Sequence, residues 1–296
     1  MADAPSQPLR IGTRGSPLAL AQARLVADAL RAAHGWPEEA VAIVPITTSG
    51  DRIQDRPLAE VEGKALWTKE LDRCLLDRRT DLSVHSMKDV ETIRPGTLAI
   101  AAMLERADPR DRLVGADSLA SLPARARVGT SSPRRRAQLL ARRPDLAIVV
   151  LRGNVQTRLA KLERGDADAT LLAAAGLDRI GLGAVGHVLD DFLPAPAQGA
   201  IGVEILADND AVHALVAAID HGPTHRCVDA ERAFLAALGG DCRSAVAAHA
   251  DGTGLKAEIL APDGSEIRAG AGGDPAELAR QLLARASPEL RAMFAA

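Results

Sequence analysis

The stretch Arg127–Arg143, RVGTSSPRRRAQLLARR, repeats the layout of Arg10–Val26, RIGTRGSPLALAQARLV. Each reads as a short strand, Gly-Thr, a polar loop, Ser-Pro, then a helix carrying Ala-Gln. Ser16 and Ser132 stand where an N-cap belongs, and Pro17 and Pro133 at the first helical position, where a missing N–H costs nothing. Two such strand–loop–helix units predict two lobes of similar α/β topology, each turning a helix N-terminus toward a ligand.

Alternation continues outward from these units. AVAIVPITT (40–48), DLSVHS (81–86) and LAIAAML (98–104) read as strands, and ALWTKELDRCLLDRR (65–79) as a helix with Leu71, Cys74 and Leu75 on one face. DLAIVVLRGNVQTRLAKLERG (145–165) is a further strand–loop–helix with Asn154 at the cap. ATLLAAAGL (169–177) reads as a strand, and LPAPAQGAIGVEI (193–205) as a strand crossing between lobes. A C-terminal part follows: helix RCVDAERAFLAAL, loop GGDCRSA, strands near VAAHA, LKAEILA and SEIRAG, and a last helix from Pro275. Strands alternating with helices indicate mainly parallel sheets covered on both faces. The expected fold class is therefore α/β. The domains expected are residues 1–104 with 199–221, residues 105–198, and residues 222–296.

At 296 residues, 47% hydrophobic and 25% charged, the chain is globular in composition and long enough for two or three domains. The N-terminal decapeptide has no basic and apolar segments of a secretory signal, and no run reaches a membrane span, so a cytoplasmic protein is expected. Cys74, Cys227 and Cys242 make an odd count without CxxC spacing, which disfavours a disulfide framework or a zinc site. Net charge is −3, yet residues 125–164 hold eleven basic and two acidic residues. Basic charge is concentrated in one lobe.

Arg134–Arg136 sit where the helix dipole is already positive, an arrangement that costs roughly 0.3–1 kcal/mol per cation. An anion is the expected compensation. Arg14, Arg134, Arg135, Arg152 and Arg158 fall at strand ends and helix starts, where α/β sheets collect ligands. N–H groups of Ser16, Ser131 and Ser132 are available to the same anion. Arg136, Arg142 and Arg143 read instead as a solvated face. Nucleic acid fits poorly: residues 125–164 contain no aromatic side chain for stacking. A small polycarboxylate fits the guanidinium forks better. SVHSMKDVE (83–91) offers His85, Ser86, Lys88 and Asp89 just past a strand, as an acid–base cluster or as a plain cap. Cys242, in LGGDCRSA, is a loop thiol beside Arg243, suited to nucleophilic attachment. A two-lobed solute-binding protein remains the competing reading.

Seven motifs in order resemble the porphobilinogen deaminase family: GTRGSPLALAQA, GKALWTKELD, DLSVHSMKDV, GTSSPRRRAQL, LRGNVQTRLAKL, PAPAQGAIGVE and GGDCRSAVAAHA. They cover most of residues 11–250. The resemblance implies two lobes like those of type II periplasmic binding proteins around a cleft, and a smaller α/β cofactor-carrying C-terminal domain. It implies a monomeric transferase that deaminates four porphobilinogen molecules and joins them head to tail into hydroxymethylbilane. The covalent dipyrromethane cofactor would be thioether-linked to Cys242, with no metal. Asp89 would be the catalytic carboxylate. Arg14, Ser16, Lys64, Trp67, Ser86, Lys88, Thr130, Ser131, Ser132, Arg134, Arg135, Arg152, Gly153, Arg158 and Gln198 would bind cofactor and substrate. Each pyrrole bears an acetate and a propionate, so a six-ring chain carries about a dozen negative charges, which need counter-charges in a confined site. Trp67 replaces the family's usual Phe, and Pro133 interrupts its usual Ser-Ser-Leu-Arg-Arg. Residues 49–63, polar and aperiodic, are expected to act as a lid.

Overall fold

The computed structural model describes residues 5, 7–48, 68–241 and 243–294. Two compact units divide them. The first draws its described residues from Met1–Asp55, Gly63–Ala107 and Ala200–His225, and the second from Asp108–Gly199 and Arg226–Ala296. The expected lid, together with Lys64, Trp67 and Cys242, lies outside the described residues.

In the first unit, β1 (Leu9–Arg14) runs parallel to β2 (Val41–Ile46) and to β3 (Leu82–Ser86). β10 (Ile201–Leu206) is antiparallel to β3 and to β4 (Leu98–Met103), giving the order β2-β1-β3-β10-β4. Helix α1 (Pro17–His34) lays Ala23, Val26, Ala27 and Leu30 on this sheet at the spacing of one helical face. Its start is set locally, since the Ser16 hydroxyl accepts from Ala19 N at 3.3 Å and Pro17 opens the first turn. It ends where Gly35 enters the left-handed region at φ 70°. Helix α2 (Lys69–Leu76) buries Leu71, Cys74 and Leu75, the face read from the sequence.

The second unit repeats the plan. β6 (Arg127–Gly129) is parallel to β7 (Ala147–Val149) and β8 (Ala169–Ala173), while β5 (Asp111–Val114) is antiparallel to β8 and to β9 (His187–Leu189). The order β7-β6-β8-β5-β9 maps strand for strand onto the first sheet. In both, three parallel strands are extended by an antiparallel pair, so the two sheets share one strand order, although the fourth strand comes last in the chain in the first unit (β10) and first in the second (β5). Helices α3 (Pro133–Arg142) and α4 (Val155–Glu163) begin at the caps expected, Ser132 and Asn154.

Two readings change. The apolar run 169–177 is a strand only to Ala173, after which Ala174–Arg179 form helix α5. The run 193–205 is not one strand: Ala197 and Gly199 take φ of 62° and 89°, and pairing begins at Ile201. Strands β5 and β9 were not legible at all.

The C-terminal residues form an antiparallel sheet, β11 (Val246–Asp251), β12 (Gly254–Leu260) and β13 (Ile267–Gly272). Its core joins Phe234, from helix α6 (Gly222–Ala237), to Leu278 and Leu282, from α7 (Pro275–Ala284), and Leu290, from α8 (Pro288–Ala292). Cys227 packs against this cluster, as its helical spacing suggested. The turn after β12 lies against α3, where Arg136 Nε donates to Pro262 O at 3.2 Å.

Candidate functional site

In the first unit the carboxyl ends of β1 and β3 carry the residues singled out. β1 ends at Arg14 and hands over through Gly15 to the Ser16 cap, while β3 ends at Ser86 and tightens into a 3-10 turn, Met87–Asp89. A cavity there is lined by Arg14, Ser16, Gln22, His85, Ser86 and Asp89. Gln22, unassigned from sequence, reaches back from α1: its Nε2 donates to Ser86 Oγ at 2.8 Å, and Ser86 donates to its Oε1 at 3.0 Å. Lys88 is half-buried beside Asp89 in the same turn.

A buried ionic cluster stands behind this cavity. His85 Nε2 lies 3.0 Å from Glu204 Oε2 on β10, and Glu204 also accepts from Arg94 Nε at 2.7 Å and Nη2 at 3.0 Å. Arg94 further meets Asp72 Oδ1 at 2.6 Å and donates to Glu91. Burial pushes Glu204 upward, but the hydrogen bond and charge of His85, then those of Arg94, outweigh it and bring the carboxyl down to about 2. Asp72 goes the other way, because burial, joined by repulsion from Glu204, raises it against the hydrogen bond and charge of Arg94. Three carboxylates thus crowd one guanidinium.

In the second unit the basic helix start is compensated from inside. Asp111, fully buried at the first position of β5, receives Arg134 Nη2 at 2.9 Å, Arg135 Nη2 at 2.7 Å and Arg135 Nε at 3.2 Å. Gln198 Nε2 joins it at 2.8 Å and also donates to Pro109 O at 2.6 Å. β5 is antiparallel, so its first residue sits at the sheet end where β6, β7 and β8 finish. One carboxylate therefore holds two guanidiniums directly, and Glu258, linked to Arg134 through Gln138, adds a more distant negative charge. The structure brings Arg134, Arg135 and Gln198 together on an aspartate that sequence reasoning missed. Arg134 Nε is buried without a partner among the described residues. Burial pushes the Arg134 guanidinium down and Asp111 holds it against that; an arginine remains charged in either case.

The loops around this cluster are built by short-range capping. Thr130 Oγ1 accepts from Ser132 N at 3.1 Å, and Ser132 Oγ accepts from Arg135 N at 3.4 Å, with half-buried Ser131 between them. At the end of β7, Arg152 is buried and Gly153 takes φ 118°, a backbone that favours glycine. Arg158 Nε donates to Gly153 O at 2.9 Å. Of the arginines read as a solvated face, Arg142 meets Asp191 at 3.1 Å and lies 4.4 Å over the Phe192 ring, and Arg143 pairs with Asp145 at 2.7 Å.

Among the described residues, no helix is long and apolar enough to cross a membrane. Residues 9–214 match the family model "Porphobilinogen deaminase, dipyromethane cofactor binding domain", and residues 225–291 match "Porphobilinogen deaminase, C-terminal domain". A porphobilinogen deaminase from Sphingopyxis alaskensis is 58% identical over 98% of this chain and 98% of its own. One from Paracoccus denitrificans is 51% identical over 95% and 96%. Among solved structures, an ABC-transporter periplasmic substrate-binding protein from Coxiella burnetii aligns with a TM-score of 0.43 and 16% identity, covering 73% of this chain and 93% of that one. A Salmonella typhimurium periplasmic binding protein aligns at 0.41 and 14%, covering 72% and 92%.

Proposed function

The chain belongs to the porphobilinogen deaminase family, and on that premise we propose which of its residues carry the family's reaction. It is an enzyme that deaminates porphobilinogen and joins four molecules into hydroxymethylbilane, using a dipyrromethane cofactor. Cys242, four residues before β11 in sequence, supplies our choice of attachment atom, its thiol sulfur. When bound, the dipyrromethane supplies the pyrrole α-carbon to which the first substrate ring is added.

The residues present fit so acidic a group. Asp111 neutralises only one of the two guanidiniums it holds, and Arg134 Nε is buried without a partner, so this cluster suits a further carboxylate. Thr130, Ser131 and Ser132 present the N-terminus of α3, and Arg152, Gly153 and Arg158 that of α4, both favourable to acetate and propionate oxygens. In the other unit Arg14, Ser16 and Ser86 line the cavity, and we add Lys88, beside Asp89 in the same turn, together with Lys64 and Trp67 from the motif. Gln198 holds Asp111 in place and reaches no ligand directly in this reading.

Asp89 carries the chemistry. Fixed in the turn after β3, its carboxylate stabilises the cation left on the substrate pyrrole when ammonia departs, as a preorganised anion does where positive charge develops. The observation that carries this assignment is the cavity Asp89 shares with Arg14, Ser16 and Ser86. We further take the enzyme to act as a cytoplasmic monomer, with residues 222–296 as a separate domain carrying the attachment loop. Intact mass tests the core of the proposal. Protein from cells able to load it should exceed its translated mass by two linked pyrroles, and Cys242→Ser should remove the excess. A bare wild-type mass would overturn it.

A further inference from the structure

The His85–Glu204–Arg94 cluster is unused by the reading above, yet His85 lines the same cavity as Asp89. We infer that His85 is the proton acceptor of the condensation, its ring fixed by Glu204 and Glu204 in turn fixed by Arg94. The inference rests on Asp89 and this cavity being the reaction site.

Three observations support it. First, Glu204 is clamped by two bonds from Arg94, at 2.7 and 3.0 Å, so it stays an acceptor toward His85 Nε2 at 3.0 Å. Nε2 therefore carries the hydrogen, and Nδ1 is the basic nitrogen. Second, Nδ1 has no partner among the described residues, although the ring is only 5% exposed. Third, the surroundings are short of positive charge. Glu204 from β10, Asp72 from α2 and Glu91 from the loop after β3 all bond Arg94, giving three carboxylates to one cation. Asp89 and Arg14 at the cavity add one charge of each sign, and Lys88 beside Asp89 adds a positive one, so four carboxylates still outnumber three cations. A proton arriving on His85 reduces the excess negative charge of this cluster instead of adding to a positive one. The basic cluster around Asp111 has no such capacity.

The step balances. The C–N bond of the substrate aminomethyl group, present as ammonium, breaks with its electron pair on nitrogen, releasing ammonia. The α-carbon of the terminal ring of the growing chain gives an electron pair to the substrate methylene, forming the new C–C bond. The α C–H bond then breaks, its electrons restore the aromatic ring, and the proton passes to His85 Nδ1. The imidazolium, held against Glu204, gives that proton to the departing ammonia, which leaves as ammonium.

Test enzymes are wild type, His85→Ala, His85→Gln and Glu204→Gln, each with the loaded fraction read by intact mass so that turnover is counted per loaded chain. His85→Ala is expected to lose on the order of 10²–10⁴ in kcat, the range for one acid–base group. Substituted imidazoles should restore activity to it in proportion to their basicity. The acidic limb of the wild-type kcat profile should vanish in His85→Gln, which keeps a donor for Glu204. Independently of turnover, nitrogen-15 spectra of labelled histidine should show His85 as the Nε2–H tautomer, with Glu204→Gln mixing the two forms. Wild-type turnover in His85→Gln, an unchanged pH limb, rescue independent of imidazole basicity, or an Nδ1–H tautomer would each overturn the inference. If His85→Ala does not fold, His85→Gln and the spectra decide. Failure of the underlying reading is distinct: wild-type protein would lack the adduct, or Asp89→Asn would turn over normally.

Discussion

Replacing Asp111 by asparagine tests the most concentrated charge arrangement in the second unit. Asp111 is fully buried and accepts four hydrogen bonds, from Arg134 Nη2, Arg135 Nε and Nη2, and Gln198 Nε2, at 2.7 to 3.2 Å. Asparagine keeps the shape and one acceptor oxygen, but turns an NH2 toward guanidinium and leaves two buried cations without the carboxylate they share. Removing one partner of a buried ion pair costs about 3–5 kcal/mol. For a unit of this size each kcal/mol lowers Tm by roughly 2–4 °C, so a fall on the order of 10 °C is expected. Calorimetry resolves it as a shift of the transition belonging to this unit, since multi-domain chains need not melt in one step. Adding Arg135→Gln should recover part of the loss, because it removes one of the stranded cations. Binding of the acidic product should become tighter per folded molecule, not weaker, as net positive charge rises. An Asp111→Asn protein that melts within about 1 °C of wild type would refute the view that Asp111 is what makes this basic helix start tolerable.

Asp89→Asn should lower turnover by on the order of 10²–10³ while the Cys242 adduct still forms, as read by intact mass; unchanged turnover would remove Asp89 from its role. Glu204 supplies a pH dependence. Its folded value, about 2, lies below the ordinary 4.5, so its stabilisation is present above pH 4.5 and is lost as pH falls toward 2. Glu204→Gln should flatten the acid-denaturation curve over that window, and an unaltered slope would contradict the cluster as described. Gly153→Ala should destabilise by more than about 1 kcal/mol. It would adopt φ 118° with its Cβ 2.6 Å from Thr157 Cγ2, and urea unfolding measures the loss.

The sequence by itself determined whatever depends on neighbours three or four residues apart. The caps at Ser16, Ser132 and Asn154 each close onto an N–H three residues on, and the buried face of α2 follows from helical spacing. Repetition of one strand–loop–helix pattern foretold two similar sheets, because that pattern has few ways to bury its apolar face. Ordered motifs identified the family and, through it, the reaction.

Tertiary structure decided the charge partners. Arg134 and Arg135 meet Asp111 across 23 and 24 residues, Gln198 meets it across 87, and His85 finds Glu204 across 119. A long polar side chain can satisfy itself with many partners; only strand order says which carboxylate stands behind it. The same cause ended β8 at Ala173, opposite Asp111, where pairing with β5 runs out and an apolar run that could serve either form turns into helix. Local capping is written in short spacings, whereas buried ion pairing depends on which strands become neighbours once the sheet has formed.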